Sequence, residues 1–188
     1  MTADILERAC NSTAAVLDLA RGADLDQPTP CLSWTVGDVI NHVIGSAATF
    51  ADIAETGSYP ADDTEHDRTA GDFSDAFRQQ AKRVVAAFSV PDAMSKPMKL
   101  PFGEVPGAIC VWIAAGDIFT HGWDLAKALG QSTDLDPDLA EQLLTRLKPL
   151  LPDAMRGPDG EAAFGPIVEI ADSAPAADRL AAFEGRHP

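Results

Sequence analysis

Positive charge is scarce in this chain of 188 residues: 14 lysines and arginines stand against 29 aspartates and glutamates, a formal charge of −15. So acidic a surface repels phosphate backbones and anionic headgroups, so neither nucleic acid nor membrane is expected as a partner. Cysteine is equally sparse. Cys10, Cys31 and Cys110 lie far apart with no CxxC pair, which excludes a disulfide framework and fits the reduced thiols of a cytoplasmic protein. The longest strongly apolar run, Ala108 to Ala115, is far too short to span a bilayer. No basic segment followed by an apolar one opens the chain, so no secretory leader is expected. A G-x-S-x-G elbow, a P-loop and a dinucleotide fingerprint are all missing, which removes the commonest serine hydrolase and nucleotide chemistries. Aromatic residues make up only 6%; with alanine and leucine frequent, this favours helices over sheets.

Apolar residues are 46% of the chain, enough for one folded domain over 1–188 with a real core. Helical spacing predicts a first helix over about Ala3 to Leu19, with Thr2 as its N-cap. After a proline-punctuated loop, Thr35 and Asp38 resemble a capping box that opens a second helix ending near Thr56-Gly57. A third is predicted over Asp72 to Phe88. The stretch from Pro91 to Gly107 carries too many prolines for a long element, although Met98 to Phe102 suits an extended conformation. A strongly apolar helix then runs from Pro106 to Gly130 and reads as the central one. A fifth starts at Asp136-Pro137 and runs to about Leu150. The remainder, 151–188, reads as a tail packed on the bundle with one short helix, Ala176 to Phe183. The expected class is all-α, a four-helix bundle with short C-terminal additions.

Two apolar helical stretches each contain a histidine. Asp117 and His121 are four residues apart and share a helix face, so a carboxylate oxygen and an imidazole nitrogen can reach one cation. A third ligand must come from another helix, and His42, flanked by apolar Val39 and Val43, is the best candidate. Three protein ligands leave coordination positions open, as catalytic metals require. The plain alternative is an exposed i, i+4 ion pair and a satisfied core histidine. Asp124 suits either an acceptor for an imidazole N–H or a bond to loop backbone, and the second is the default. Asp38 is explained by capping. Trp34 and Trp123 read as structural anchors. Cys31 suits the mouth of a pocket, but nothing beside it in sequence lowers its pKa. His66, among Asp62, Asp63, Glu65 and Asp67, reads as surface, and His187 as a disordered end.

The segments "TPCLSWTVGDVINHV" and "DIFTHGWDLAKALGQ" closely resemble the two signatures of the DinB/YfiT-like superfamily, in the branch that includes the N-terminal domain of mycothiol-dependent maleylpyruvate isomerase. "LPFGEVPG" and "FGPIVEIADSAPAADRLAAFEGR" resemble a metal-binding subfamily of that branch. The resemblance implies a four-helix bundle of up-down-down-up connectivity and a divalent metal held by His42, Asp117 and His121. Zinc suits such ligands best, and nickel and iron also accept imidazole. It further implies a reaction on a small-molecule substrate that uses mycothiol or a similar low-molecular-weight thiol, of transferase or isomerase type. Two departures stand out. The isomerase carries glutamate where this chain has Asp117, and it has a separate C-terminal domain where this chain has only Leu151 to Pro188. Maleylpyruvate isomerisation itself is therefore not expected. A non-catalytic metal or small-molecule binding module is the alternative function, and a helical partner-binding domain without metal is a third. The sequence leaves the oligomeric state open, a homodimer included.

Overall fold

Helix boundaries in this chain follow its capping residues. The structure is a computed structural model that describes residues 2–60, 67–158 and 161–188, with the side chains of 2–3 left aside. Helix α1 is Thr2–Leu19, so Thr2 is helical and not the cap that the sequence suggested. Helix α2 is Val36–Thr56. Its capping box is complete: the Thr35 N–H donates to Asp38 at 2.8 Å and the Asp38 N–H returns to the Thr35 hydroxyl at 3.2 Å. Gly57, at φ 84°, ends it in the left-handed conformation that glycine adopts without strain. Helix α3, Phe73–Phe88, is capped by Asp72, which accepts the Asp75 N–H at 3.0 Å. Helix α4, Gly107–Ala128, follows Pro106 and stops before Gly130, where the Gln131 N–H turns back to the Ala126 carbonyl at 2.8 Å. Helix α5, Pro137–Leu147, is about a turn shorter than its apolar pattern suggested, and α6 is Ala176–Phe183.

Between α3 and α4 the chain forms an antiparallel hairpin, β1 Pro97–Leu100 and β2 Gly103–Pro106. The sequence suggested only one extended stretch here. The hairpin is fixed from outside itself. The Lys99 N–H donates to the Gly57 carbonyl at 3.0 Å, the Tyr59 N–H to the Lys99 carbonyl at 3.0 Å, and Lys96 Nζ reaches the Ala54 and Glu55 carbonyls at 2.9 and 2.7 Å. Orphan carbonyls at the end of α2 are thereby satisfied, and Leu100 and Phe102 are carried up beside that helix.

The four long helices pack in a ring: α4 lies against α1 and α2, and α3 closes the circle against the same two. Helix α4 is buried on almost every side, through Val111, Ala115, Ile118, Phe119 and Leu125 among others. Its backbone comes close to α1 at Gly122, where a Cβ would sit 2.4 Å from Thr13 Oγ1, while Thr13 Oγ1 itself donates to the Ile118 carbonyl at 2.8 Å. Helices α5 and α6 pack on each other and on α4. Trp123 is an anchor, as expected: its ring is buried and Nε1 donates to Asp178 of α6 at 2.8 Å. The chain end is held to the bundle by buried Arg186, with His187 exposed beyond it. His66 lies outside the described residues. Among the described residues no helix is long and apolar enough to cross a membrane.

Candidate metal centre

Helices α2 and α4 face each other across one edge of the core, and the side chains singled out in the sequence meet there. Asp117 Oδ1 lies 3.4 Å from His42 Nε2 and 3.7 Å from His121 Nε2. Candidate ligand atoms of all three residues fall within 4.8 Å of one another. These separations are long for hydrogen bonds. They match the spacing around a shared ion: two atoms about 2.1 Å from one cation at the tetrahedral angle are about 3.4 Å apart.

Charge states suit the same use. Burial pushes the Asp117 carboxyl upward, but the His42 and His121 imidazoles and the Ser46 hydroxyl outweigh it and hold the group ionised, well below the usual carboxylate range. Burial lowers the His121 pKa below its ordinary value, against the opposing pull of Asp124. A neutral imidazole beside an ionised carboxylate is the form that ligation needs. The residues present therefore fit a divalent cation in donor type and spacing.

Other side chains complete the surroundings. Ser46, one turn after His42, donates its hydroxyl to Asp117 Oδ2, leaving Oδ1 toward the imidazoles. The i, i+4 spacing from His42 was a signal for it that the sequence reading passed over. Asp124 accepts from His121 Nδ1 at 3.1 Å, so the histidine-acceptor role applies and the default loop role does not. Trp34 also does more than anchor a helix start: its ring lies 4.6 Å from that of His42 and 5.3 Å from that of His121, walling one side of the cluster. Asp38 does cap α2. A cavity of about 260 Å³ opens beside His42 and Asp117, with Ser46, Asn41 and Arg68 as polar lining and Phe50, Phe102 and Ile113 as apolar walls. Gly45 makes room for Arg68, whose Nη1 would be 3.2 Å from a Cβ at that position.

Helical bundle and cluster together define a class: a four-helix protein with two histidines and one carboxylate converging between facing helices. Residues 6–126 match the mycothiol maleylpyruvate isomerase N-terminal domain family, and the chain belongs to that family. It is 38% identical over 180 residues to two uncharacterized proteins of Mycobacterium tuberculosis, one from each of two strains, with 96% of this chain and 94% of each relative covered. The fold is that of the crystal structure of the mycothiol-dependent maleylpyruvate isomerase, with a TM-score of 0.59 at 18% identity, over 76% of this chain and 66% of that one. A histidine-to-alanine mutant of the same isomerase superposes with a TM-score of 0.58. The chain thus spans just under two thirds of the isomerase's length.

Proposed function

We propose that this chain binds one divalent cation, zinc in the first instance, through His42, Asp117 and His121, and uses it with a low-molecular-weight thiol such as mycothiol in a transferase or isomerase reaction on a small electrophile. The observation that carries this reading is the convergence of the three side chains on one point beside an open cavity. The chemistry of the structural relative, a mycothiol-dependent isomerase, supports the thiol. A bound divalent cation supplies a stabilised thiolate at neutral pH and a Lewis acid for the electrophile.

The chain's own residues do the rest. Ser46 holds Oδ2 of Asp117 and so orients the other oxygen. Asp124 holds Nδ1 of His121 and turns Nε2 inward. Trp34 covers the imidazoles on one side. The cavity receives the electrophile between Asn41 and Arg68 on its polar side and Phe50 and Phe102 on its apolar side. The working unit is the whole chain, tail included.

A non-catalytic binding module would call for a further protein ligand or a blocked mouth. Among the described residues the cluster offers three candidate ligands. Two bulky rings of α4 that could plug the mouth lie elsewhere: Phe119 is in the core and Trp112 lies under Arg146, 5.5 Å from its guanidinium. Untagged protein loaded with zinc and offered a panel of electrophiles tests the reading. Turnover is expected only when both zinc and a thiol such as mycothiol are supplied. Turnover without metal, or none with any thiol, contradicts it.

A further inference from the structure

Buried charge outside the three ligands is concentrated in one place. Asp124 of α4 is 0% exposed, and Glu184 and Arg186 reach its neighbourhood from the chain end at 4% and 9%. Arg186 presents two nitrogens of its fork to one carboxylate: Nε is 3.3 Å from Asp124 Oδ1 and Nη2 is 3.1 Å from Oδ2. Oδ2 also takes the contact from His121 Nδ1 at 3.1 Å. An ionised carboxylate only accepts, so the proton of the neutral ring sits on Nδ1. Nε2 is left bare, and it is the atom that faces Asp117 at 3.7 Å.

The chain is built to bring Arg186 there. After α6 the Gly185 N–H donates to the Ala182 carbonyl at 3.1 Å and the Arg186 N–H returns to the Ala181 carbonyl at 2.9 Å. Gly185 adopts φ 95°, and a Cβ on it would lie 2.4 Å from Gly165 Cα. Only glycine permits that turn, and the turn drives the next side chain inward. Burying an arginine and two carboxylates is a poor route to stability, because desolvation offsets most of their attraction. A positioning role accounts for the arrangement.

We propose that Arg186 is a positioning residue of the metal centre: it grips Asp124, which fixes the His121 ring with Nε2 turned toward the shared ion. The C-terminal tail is then a working part of the site. This inference rests on the metal-centre reading above.

Cobalt(II) is the probe, with affinity measured by chelator competition and geometry by visible absorption. R186M/E184Q removes one buried charge of each sign, so the net buried charge stays that of the wild type while Asp124 loses the fork. The double variant should keep the wild-type helical spectrum, bind cobalt about 10–100-fold more weakly, and show altered absorption. R186K keeps the charge but loses the fork, and should fall between wild type and the double variant. A folded double variant with wild-type cobalt affinity and absorption overturns the inference, since a purely structural role moves only the melting temperature. Should the double variant fail to fold, R186K decides: wild-type affinity there overturns the inference equally. Wild-type protein that takes up no cobalt removes the metal reading and this inference with it, whereas normal wild-type binding with unaffected variants removes this inference alone.

Discussion

His121 gains its character from its surroundings more than from its own helix. It is 7% exposed, held at Nδ1 by Asp124, and faced by Asp117 and His42 at its other edge. Environment likewise separates the three thiols. Burial pushes Cys10 and Cys110 up to about 12, while Cys31 is only partly buried. Alkylation of the native protein at mildly alkaline pH, read by peptide mass, should therefore modify Cys31 alone; label on Cys10 or Cys110 contradicts the packing. Glu184 gives a pH signature. Burial, only partly offset by Arg186, raises its carboxyl from 4.5 to about 7, so the folded state takes up a proton that the unfolded chain does not. That contribution is fully present below about 4.5 and is lost as pH rises through about 7. Glu184→Gln, which cannot titrate, should lose less stability than wild type between about pH 5 and about pH 8 in urea unfolding. Equal losses would show that Glu184 is not held in this way.

At the scale of elements, the bundle is set by where α4 can approach its neighbours. Gly122 lies against Thr13 of α1, and Gly116 against Leu147 of α5, where a Cβ would meet a methyl at 2.5 Å. Gly122→Ala should cost about 1–3 kcal/mol by overpacking, despite alanine's better helix propensity. Denaturant unfolding checks this, and a stabilised variant would mean that the α1–α4 spacing is wrong. Much of this level was legible in the sequence because its signals are local. The Thr35–Asp38 box, the stop at Gly57, the α4 boundaries and the span of α6 all follow from residues within one turn of the feature. The hairpin was not legible, because its strands are held by Gly57, Tyr59 and the end of α2, far away in sequence. The site divides in the same way. Asp117 and His121 share a helix face, and His42 stands out against apolar neighbours. The ring contacts of Trp34 depend on how two helices meet, and Arg186 reaches Asp124 across 62 residues with no periodicity to announce it.

The whole molecule joins an acidic surface to a partly covered cluster whose donors suit a cation. Helices α2 and α4 carry the candidate ligands, the hairpin and Arg68 border the cavity, and the C-terminal tail reaches the far side of His121. Just under two thirds of the isomerase chain has a counterpart here. Everything functional in this account depends on one ion being shared by three side chains from two helices. The most direct test is the metal-to-protein ratio, by elemental analysis after zinc loading and gel filtration, of untagged wild type beside Asp117→Ala and His121→Ala. Close to one zinc per chain is expected in the wild type and close to none in either variant. Undiminished zinc in both variants, or a wild type that retains none, would contradict it.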